Sequence, residues 1–179
     1  MSDLPEIIEK KYVHKGYFDL RVDLVKRKNV DPIEYTVLLT KVGAVAVLPQ
    51  DEEGRYIVTK EYRHSIGMFV LSLPGGRMEK GEEPEIAAKR ELIEETGYQA
   101  KALTPLQDYF PMPSVCDQKI YMYLAKGCVK IKNSNLDPLE VIETHALTEK
   151  ELMQELKKGA KIDGVLAAGL FYNHLHSKF

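Results

Sequence analysis

Between Gly76 and Tyr98 the chain reads Gly-x5-Glu-x7-Arg-Glu-Leu-x-Glu-Glu-x-Gly-Tyr. Glu91 and Glu95 are four residues apart, so on a helix they project from one face, with Glu94 beside them. Three carboxylates this close repel one another at neutral pH, and a bound cation reverses the sign of that problem. Mg²⁺ takes oxygen ligands, keeps several waters and is completed by substrate phosphates. The chemistry open to this stretch is therefore to hold a divalent cation against a pyrophosphate. Arg90 is placed to hold the carboxylates by charge-assisted hydrogen bonds, and the turn Leu73-Pro74-Gly75-Gly76 can bring backbone carbonyls beside the same metal. Runs of Glu, Lys and Arg usually form a solvated helix face. At average residue usage this pattern arises by chance on the order of 10⁻⁹ per starting position, which argues for the chemical reading.

The same residues mark the element that must carry them. Pro84 suits the first turn of a helix, where a missing N–H costs nothing. Ala87, Ala88 and Leu92 supply apolar contacts at helical spacing, and Gly97 suits the left-handed residue that ends the helix. Upstream, Tyr12 to Lys26 alternates as a hairpin or pair of strands, Asn29-Val30-Asp31-Pro32 reads as a turn, and Ile33 to Leu39 as another strand. Val42 to Leu48 is nearly all apolar, as a strand buried on both faces would be. Asp51-Glu52-Glu53-Gly54 is a hairpin turn returning through Tyr56 to Tyr62, and Phe69 to Leu73 leads into the glutamate-rich box. Downstream, Tyr109 to Pro113 reads as a loop, Lys119 to Ala125 as a strand, and Cys128 to Ile131 as the start of another. A polar loop over 132–138 precedes a strand through Val141 and Ile142. Thr148 to Glu151 forms a Thr-x-x-Glu capping box for a helix to Lys158, and Asp163 to Ser177 is a second, Ala- and Leu-rich helix.

A chain of 179 residues, 44% hydrophobic and 29% charged, has the make-up of an ordinary globular protein with room for a real core. The net charge of −2 and the lack of a basic patch argue against nucleic acid as a partner. Cys116 and Cys128 do not make a disulfide framework, and no Cys/His pair has zinc spacing. The N-terminus lacks signal-peptide character and no apolar run reaches membrane-spanning length, so a cytoplasmic enzyme with no membrane attachment is expected.

The segment from Gly76 to Tyr98 resembles the signature box of the Nudix hydrolases and matches it at every specified position. The resemblance implies an α/β/α sandwich around a mixed sheet, in the α/β (α+β) class, and hydrolysis, dependent on Mg²⁺ or Mn²⁺, of a nucleoside diphosphate linked to another group. Carried onto this sequence, it implies Glu91 and Glu95 as core metal ligands, Glu94 as a further ligand or helper, Glu82 as a peripheral contributor and the Gly75 carbonyl as a backbone ligand. Three features outside the box resemble the ADP-ribose and nucleoside-diphosphate-sugar hydrolases. Residues 1–41 resemble their strand-rich N-terminal extension ahead of a Nudix domain over 42–179, which implies a homodimer with substrate bound between protomers. Tyr62-Arg63 followed by Gly67, after the Ile57 to Glu61 strand, is similar to their Gln-Tyr-Arg segment, whose arginine contacts substrate. Pro113 stands where those enzymes carry a marker proline.

There are departures. The subfamily's Pro-Ala-Gly is Pro74-Gly75-Gly76 here, a form more typical of triphosphate-type members, and a glutamate usual two residues before that proline is Ser72. Where some members have a general-base glutamate, this chain has Gln118, which cannot take a proton. Leu139-Glu140-Val141-Ile142-Glu143 resembles another base-bearing segment and makes Glu140 the preferred base, ahead of Glu143 and Asp117. The expected catalytic groups are thus Glu140, Glu94 and Arg90. Arg63 holds the diphosphate or terminal sugar, and Tyr17 and Phe18 sandwich the nucleobase. Two other functions stay open: hydrolysis of nucleoside triphosphates, dinucleoside polyphosphates or RNA 5′ ends, and a non-catalytic ligand sensor on the same fold.

Overall fold

The computed structural model describes residues 4–178. They divide into two compact units: residues up to Gly43 with Phe110–Lys119, and Ala44–Tyr109 with the chain from Ile120 onward.

The first unit is a three-stranded antiparallel sheet in the order β1-β2-β3, from Glu6–His14 (β1), Asp19–Arg27 (β2) and Val30–Leu39 (β3). The turn before β3 rests on Asn29 at φ 59°, a left-handed position that asparagine tolerates. The strand therefore begins at Val30, earlier than the sequence reading at Ile33, and carries Pro32 within it. That is allowed because β3 lies at the edge of the sheet, where a proline's missing N–H breaks no ladder. On β2, Arg21 grips the buried Asp23 through two hydrogen bonds of 2.6 and 2.7 Å. The segment Phe110–Lys119 is tied to the end of β3: Leu38 donates to the Val115 carbonyl at 2.8 Å, and Asp117 accepts from the Thr40 N–H at 2.7 Å and its hydroxyl at 3.0 Å.

The second unit is built on a seven-stranded mixed sheet. Its strands are β4 (Ala44–Asp51), β5 (Tyr56–Arg63), β6 (Met68–Ser72), β7 (Tyr98–Gln99), β8 (Ala102–Tyr109), β9 (Ile120–Lys130) and β10 (Ile142–Leu147). The order is β10-β5-β4-β9-β7, with β6 beside β5 and β8 beside β9; β4 and β9 are parallel, and the other pairs antiparallel. Alternation along β4 sends its side chains to two cores. Ala44, Ala46 and Leu48 pack with Leu152 of α2 (Glu149–Lys157) and Leu166 of α3 (Gly164–Lys178). Val45 and Val47 pack with Ala87, Ala88 and Leu92 of α1 (Pro84–Thr96). Helices on both faces of a mixed sheet make the α/β/α sandwich.

In this sheet β8 and β9 depart most from the sequence reading. β8 was not anticipated, because Pro105 interrupts its pattern; the register with β9 shifts between Pro105 and Asp108. β9 runs unbroken from Ile120 to Lys130 instead of as two pieces. Its register against β4 shifts near Gly127, which at φ 63° takes up the irregularity that looked like a strand end.

Candidate active site

Helix α1 begins with Pro84 at its first position and ends at Gly97, φ 74°, whose N–H donates to the Ile93 carbonyl at 2.9 Å. Its buried face carries Ala87, Ala88, Glu91, Leu92, Glu95 and Thr96, so the two carboxylates sit among the residues that seat the helix on the sheet. Alanine at 87 and 88 lets the helix approach closely. Glycine at 75 and 76 does the same for the preceding turn. A Cβ on Gly75 would lie 2.3 Å from the Val45 carbonyl oxygen, and one on Gly76 would lie 2.7 Å from Glu91 Oε1. The turn is stitched to β4, with the Val45 N–H donating to the Gly76 carbonyl and the Val47 N–H to that of Pro74, both at 2.9 Å. Gly75 in turn donates its N–H to Glu95 Oε2 at 2.9 Å.

Arg90 organises the rest of the cluster. Its Nε and Nη2 grip Glu82 through two bonds of 2.9 Å, Nη1 donates to Glu91 Oε1 at 2.8 Å and to Glu94 Oε2 at 3.0 Å, and Nη2 reaches the Arg77 carbonyl at 3.2 Å. Foremost by its pairing with Glu82, this raises the guanidinium pKa further above its ordinary value. Both oxygens of Glu82 are thereby engaged, and Oε2 also accepts the Glu79 N–H at 2.8 Å.

Glu91 and Glu95 are only 9% and 5% exposed. Burial pushes the Glu91 carboxyl above its usual range, against the pull of Arg90. Burial likewise pushes Glu95 up to about 9, with the Gly75 N–H opposing and the charges of Glu91, Glu61 and Glu140 adding to the rise. A buried, hydrogen-bonded set of oxygen donors whose negative charges are costly is what a hard divalent cation fits. Glu91 Oε2, Glu94 Oε1 and Glu95 Oε1 accept no hydrogen bond among the described residues. Among the described residues no group of three or more His, Cys, Asp or Glu side chains is arranged to hold a metal ion. Mg²⁺ sites commonly use one or two carboxylates, with waters and substrate phosphates completing the shell.

Glu140 is brought to this cluster by the loop after β9. Ile131 donates its N–H to the Gly97 carbonyl at 2.9 Å and Asn135 to the Glu94 carbonyl at 2.7 Å, which lays the loop on the end of α1. A turn then holds the glutamate: the Asp137 N–H donates to Glu140 Oε2 at 2.8 Å, and the Glu140 N–H to the Asp137 carbonyl at 2.9 Å. Its charge is close enough to raise the proton affinity of Glu91, Glu95 and Glu61. The other candidate bases are occupied. Glu143 faces the opposite side of the sheet, 3.2 Å from Lys60 and 3.6 Å from His145. That face borders a cleft of about 630 Å³ lined by Lys60, Phe69, Leu71, His145 and Lys158 among others. Asp117 is held by Thr40 in the first unit.

Arg63 ends β5 and stands between two carboxylates, pairing with Glu61 of its own strand and with Asp163 at 3.2 Å. Sequence reasoning missed both. Glu61 is a largely buried carboxylate where the Gln-Tyr-Arg pattern has an amide, and that departure was its signal. Burial, foremost, raises its pKa, and Arg63 opposes the rise. Asp163 was read only as the start of a helix. Tyr17 and Phe18 belong to the first unit, where their rings meet edge to face with centroids 4.8 Å apart and Tyr17 is 64% exposed.

A NUDIX domain profile matches residues 40–168. Over 178 residues the chain is 34% identical to the ADP-ribose pyrophosphatase of Bacillus subtilis (strain 168), covering 98% of this chain and 96% of that one. It is 34% identical over 134 residues to the methanol dehydrogenase activator of Bacillus methanolicus, covering 74% and 72%. A crystal structure of an ADP compounds hydrolase shares the fold with a TM-score of 0.85 at 23% identity, covering 97% of this chain and 94% of that chain.

Proposed function

This chain belongs to the Nudix family, and from that premise we propose that it hydrolyses the pyrophosphate bond of ADP-ribose or another nucleoside diphosphate sugar, releasing a nucleoside monophosphate and a sugar phosphate. The observation that carries the substrate class is the end-to-end likeness to the B. subtilis ADP-ribose pyrophosphatase, which takes in the N-terminal strands as well as the box.

The donor set suits Mg²⁺, with Mn²⁺ as a substitute, held by Glu91, Glu95, Glu94 and the Gly75 carbonyl with Glu82 at the periphery; when bound, such an ion neutralises diphosphate oxygens and lowers the pKa of a bound water. Arg90 keeps Glu82, Glu91 and Glu94 aligned through the hydrogen bonds described above. Glu140 orients the attacking water and accepts its proton. The water oxygen forms the new bond to phosphorus, the bridging P–O bond breaks, and the leaving phosphate carries the electron pair away. Arg63 holds the diphosphate or terminal sugar, and Tyr17 and Phe18 stack on the base. Residues 1–41 build a homodimer in which the substrate meets both protomers. A cytoplasmic location belongs to the same reading, supported by two cysteines that are free thiols and buried.

The test is a hydrolysis panel of ADP-ribose, GDP-mannose, UDP-glucose, dinucleoside polyphosphates and nucleoside triphosphates in Mg²⁺. The highest kcat/KM is expected on a nucleoside diphosphate sugar. Faster turnover of triphosphates would overturn this in favour of the members whose Pro-Gly-Gly turn the chain shares, and binding without turnover of any compound would make it a sensor.

A further inference from the structure

The Arg63 side chain is 40% exposed, yet its guanidinium is already fixed from two sides. Glu61 and Arg63 alternate on β5, so both point to one face of the sheet, the face that also carries Ser72 through the pairing Thr59↔Ser72. The far side of the grip comes from residues 161–163, just ahead of α3. This segment adds itself to the free edge of β6: Leu71 donates to the Lys161 carbonyl at 2.8 Å and accepts from the Asp163 N–H at 3.0 Å. Asp163 thereby arrives beside Ser72 and Arg63.

One carboxylate then serves four donors. Oδ1 accepts the backbone N–H of Val165 at 3.0 Å and of Leu166 at 3.1 Å, capping α3. Oδ2 accepts the Ser72 hydroxyl at 2.6 Å and Arg63 Nη2 at 3.2 Å. A helix cap needs only an oxygen, and asparagine provides one as well as aspartate. The negative charge is surplus to capping, and the group it meets is Arg63.

We infer that Asp163, anchored by α3 and Ser72, is the positioning residue for Arg63, holding its guanidinium in the binding orientation before a nucleoside diphosphate sugar arrives. This rests on the reading of Arg63 as the group that holds the substrate's diphosphate or terminal sugar. A long arginine side chain loses rotamer freedom when it grips a ligand, and a side chain ordered beforehand has less to lose. Position 72 fits the same account. A glutamate there would bring a carboxylate to the spot now taken by Asp163, whereas serine donates to Asp163 and leaves the charge on α3.

The test is steady-state kinetics on the nucleoside diphosphate sugar turned over fastest, with the melting temperature of each variant measured alongside. Asp163→Asn keeps the cap and removes the charge. It is expected to raise KM about tenfold while kcat stays within about twofold, the mark of an interaction made equally in the ground and transition states. Ser72→Ala should raise KM by a smaller factor. Arg63→Ala should raise KM at least as much as Asp163→Asn, and in the Arg63→Ala background Asp163→Asn should add nothing, because the two act as one unit. If Arg63→Ala raises KM but Asp163→Asn does not, or if Asp163→Asn raises it equally without the arginine, Asp163 is a helix cap only and the inference is overturned. If Arg63→Ala leaves KM unchanged, the reading of Arg63 fails first and takes the inference with it.

Discussion

β1 leaves every residue from Glu6 to His14 exposed, whereas β4 buries all but one of its eight. β4 is largely apolar, whereas β1 mixes Ile7, Ile8, Tyr12 and Val13 with Glu, Lys and His. The cover differs as well: β4 lies between α1 on one face and α2 and α3 on the other. In the N-terminal sheet Ile7, Tyr12, Val13, Ile33 and Tyr35 all stand in water, with Ile33 60% exposed. Exposed apolar side chains grouped in this way are what the proposed pairing of N-terminal sheets would cover. The central unit does the reverse, burying carboxylates on α1, Glu91 at 9% and Glu95 at 5% exposure.

The sharpest way to break this contrast is at the buried charge. Glu95→Gln changes helix propensity little, so the melting temperature should hold while turnover falls by several orders of magnitude. Near-wild-type activity in saturating Mg²⁺ would sink the ligand assignment. Next in size, Glu140→Gln should lower kcat by about 10²–10⁴-fold with KM and Mg²⁺ affinity nearly unchanged. Glu143→Gln should cost far less, because that side chain faces Lys60 and His145 on the other side of the sheet. The reverse ranking would show the base misassigned.

The exposed sheet is tested by charge. Val13→Lys combined with Ile33→Lys alters side chains already in water, so folding should survive, while light scattering at micromolar concentration should report a monomer with reduced activity. Deleting residues 1–41 should abolish dimer and activity together, but it also strips Leu38 and Thr40 from the segment Phe110–Lys119, so the lysine pair is the cleaner probe. A fully active monomeric variant would refute the shared site. The smallest effect is expected at Cys128, whose thiol burial pushes up to about 11. With the thiolate scarce at pH 7.5, intact-mass analysis should find almost no alkylation by iodoacetamide in the native state. Rapid labelling would mean that the central sheet opens more readily than its burial implies.

The box was legible because everything in it is local: a proline at the first turn, small residues against the sheet, carboxylates one turn apart and a glycine stop. The buried β4 and the capping box of α2 were legible for the same reason, and in the structure Thr148 and Glu151 bond reciprocally. What escaped was set by distant partners. β8 is a strand because β9 lies beside it, despite Pro105. Pro32 is tolerated because β3 ends its sheet. Asp163 meets Arg63 across one hundred residues of chain, a contact that no spacing rule displays. Glu61 was visible as a letter, but its burial against Arg63 emerges only once β5 lies between β6 and β10.

The most direct test of the central claim is to follow ADP-ribose with the wild-type protein while Mg²⁺ is titrated in and then removed with EDTA, identifying the products by anion exchange. The account predicts AMP and ribose 5-phosphate in equal amounts, a rate that saturates with Mg²⁺, and loss of that rate in EDTA. Turnover that persists in EDTA, or no cleavage of any nucleoside diphosphate sugar at saturating Mg²⁺ or Mn²⁺, would contradict it.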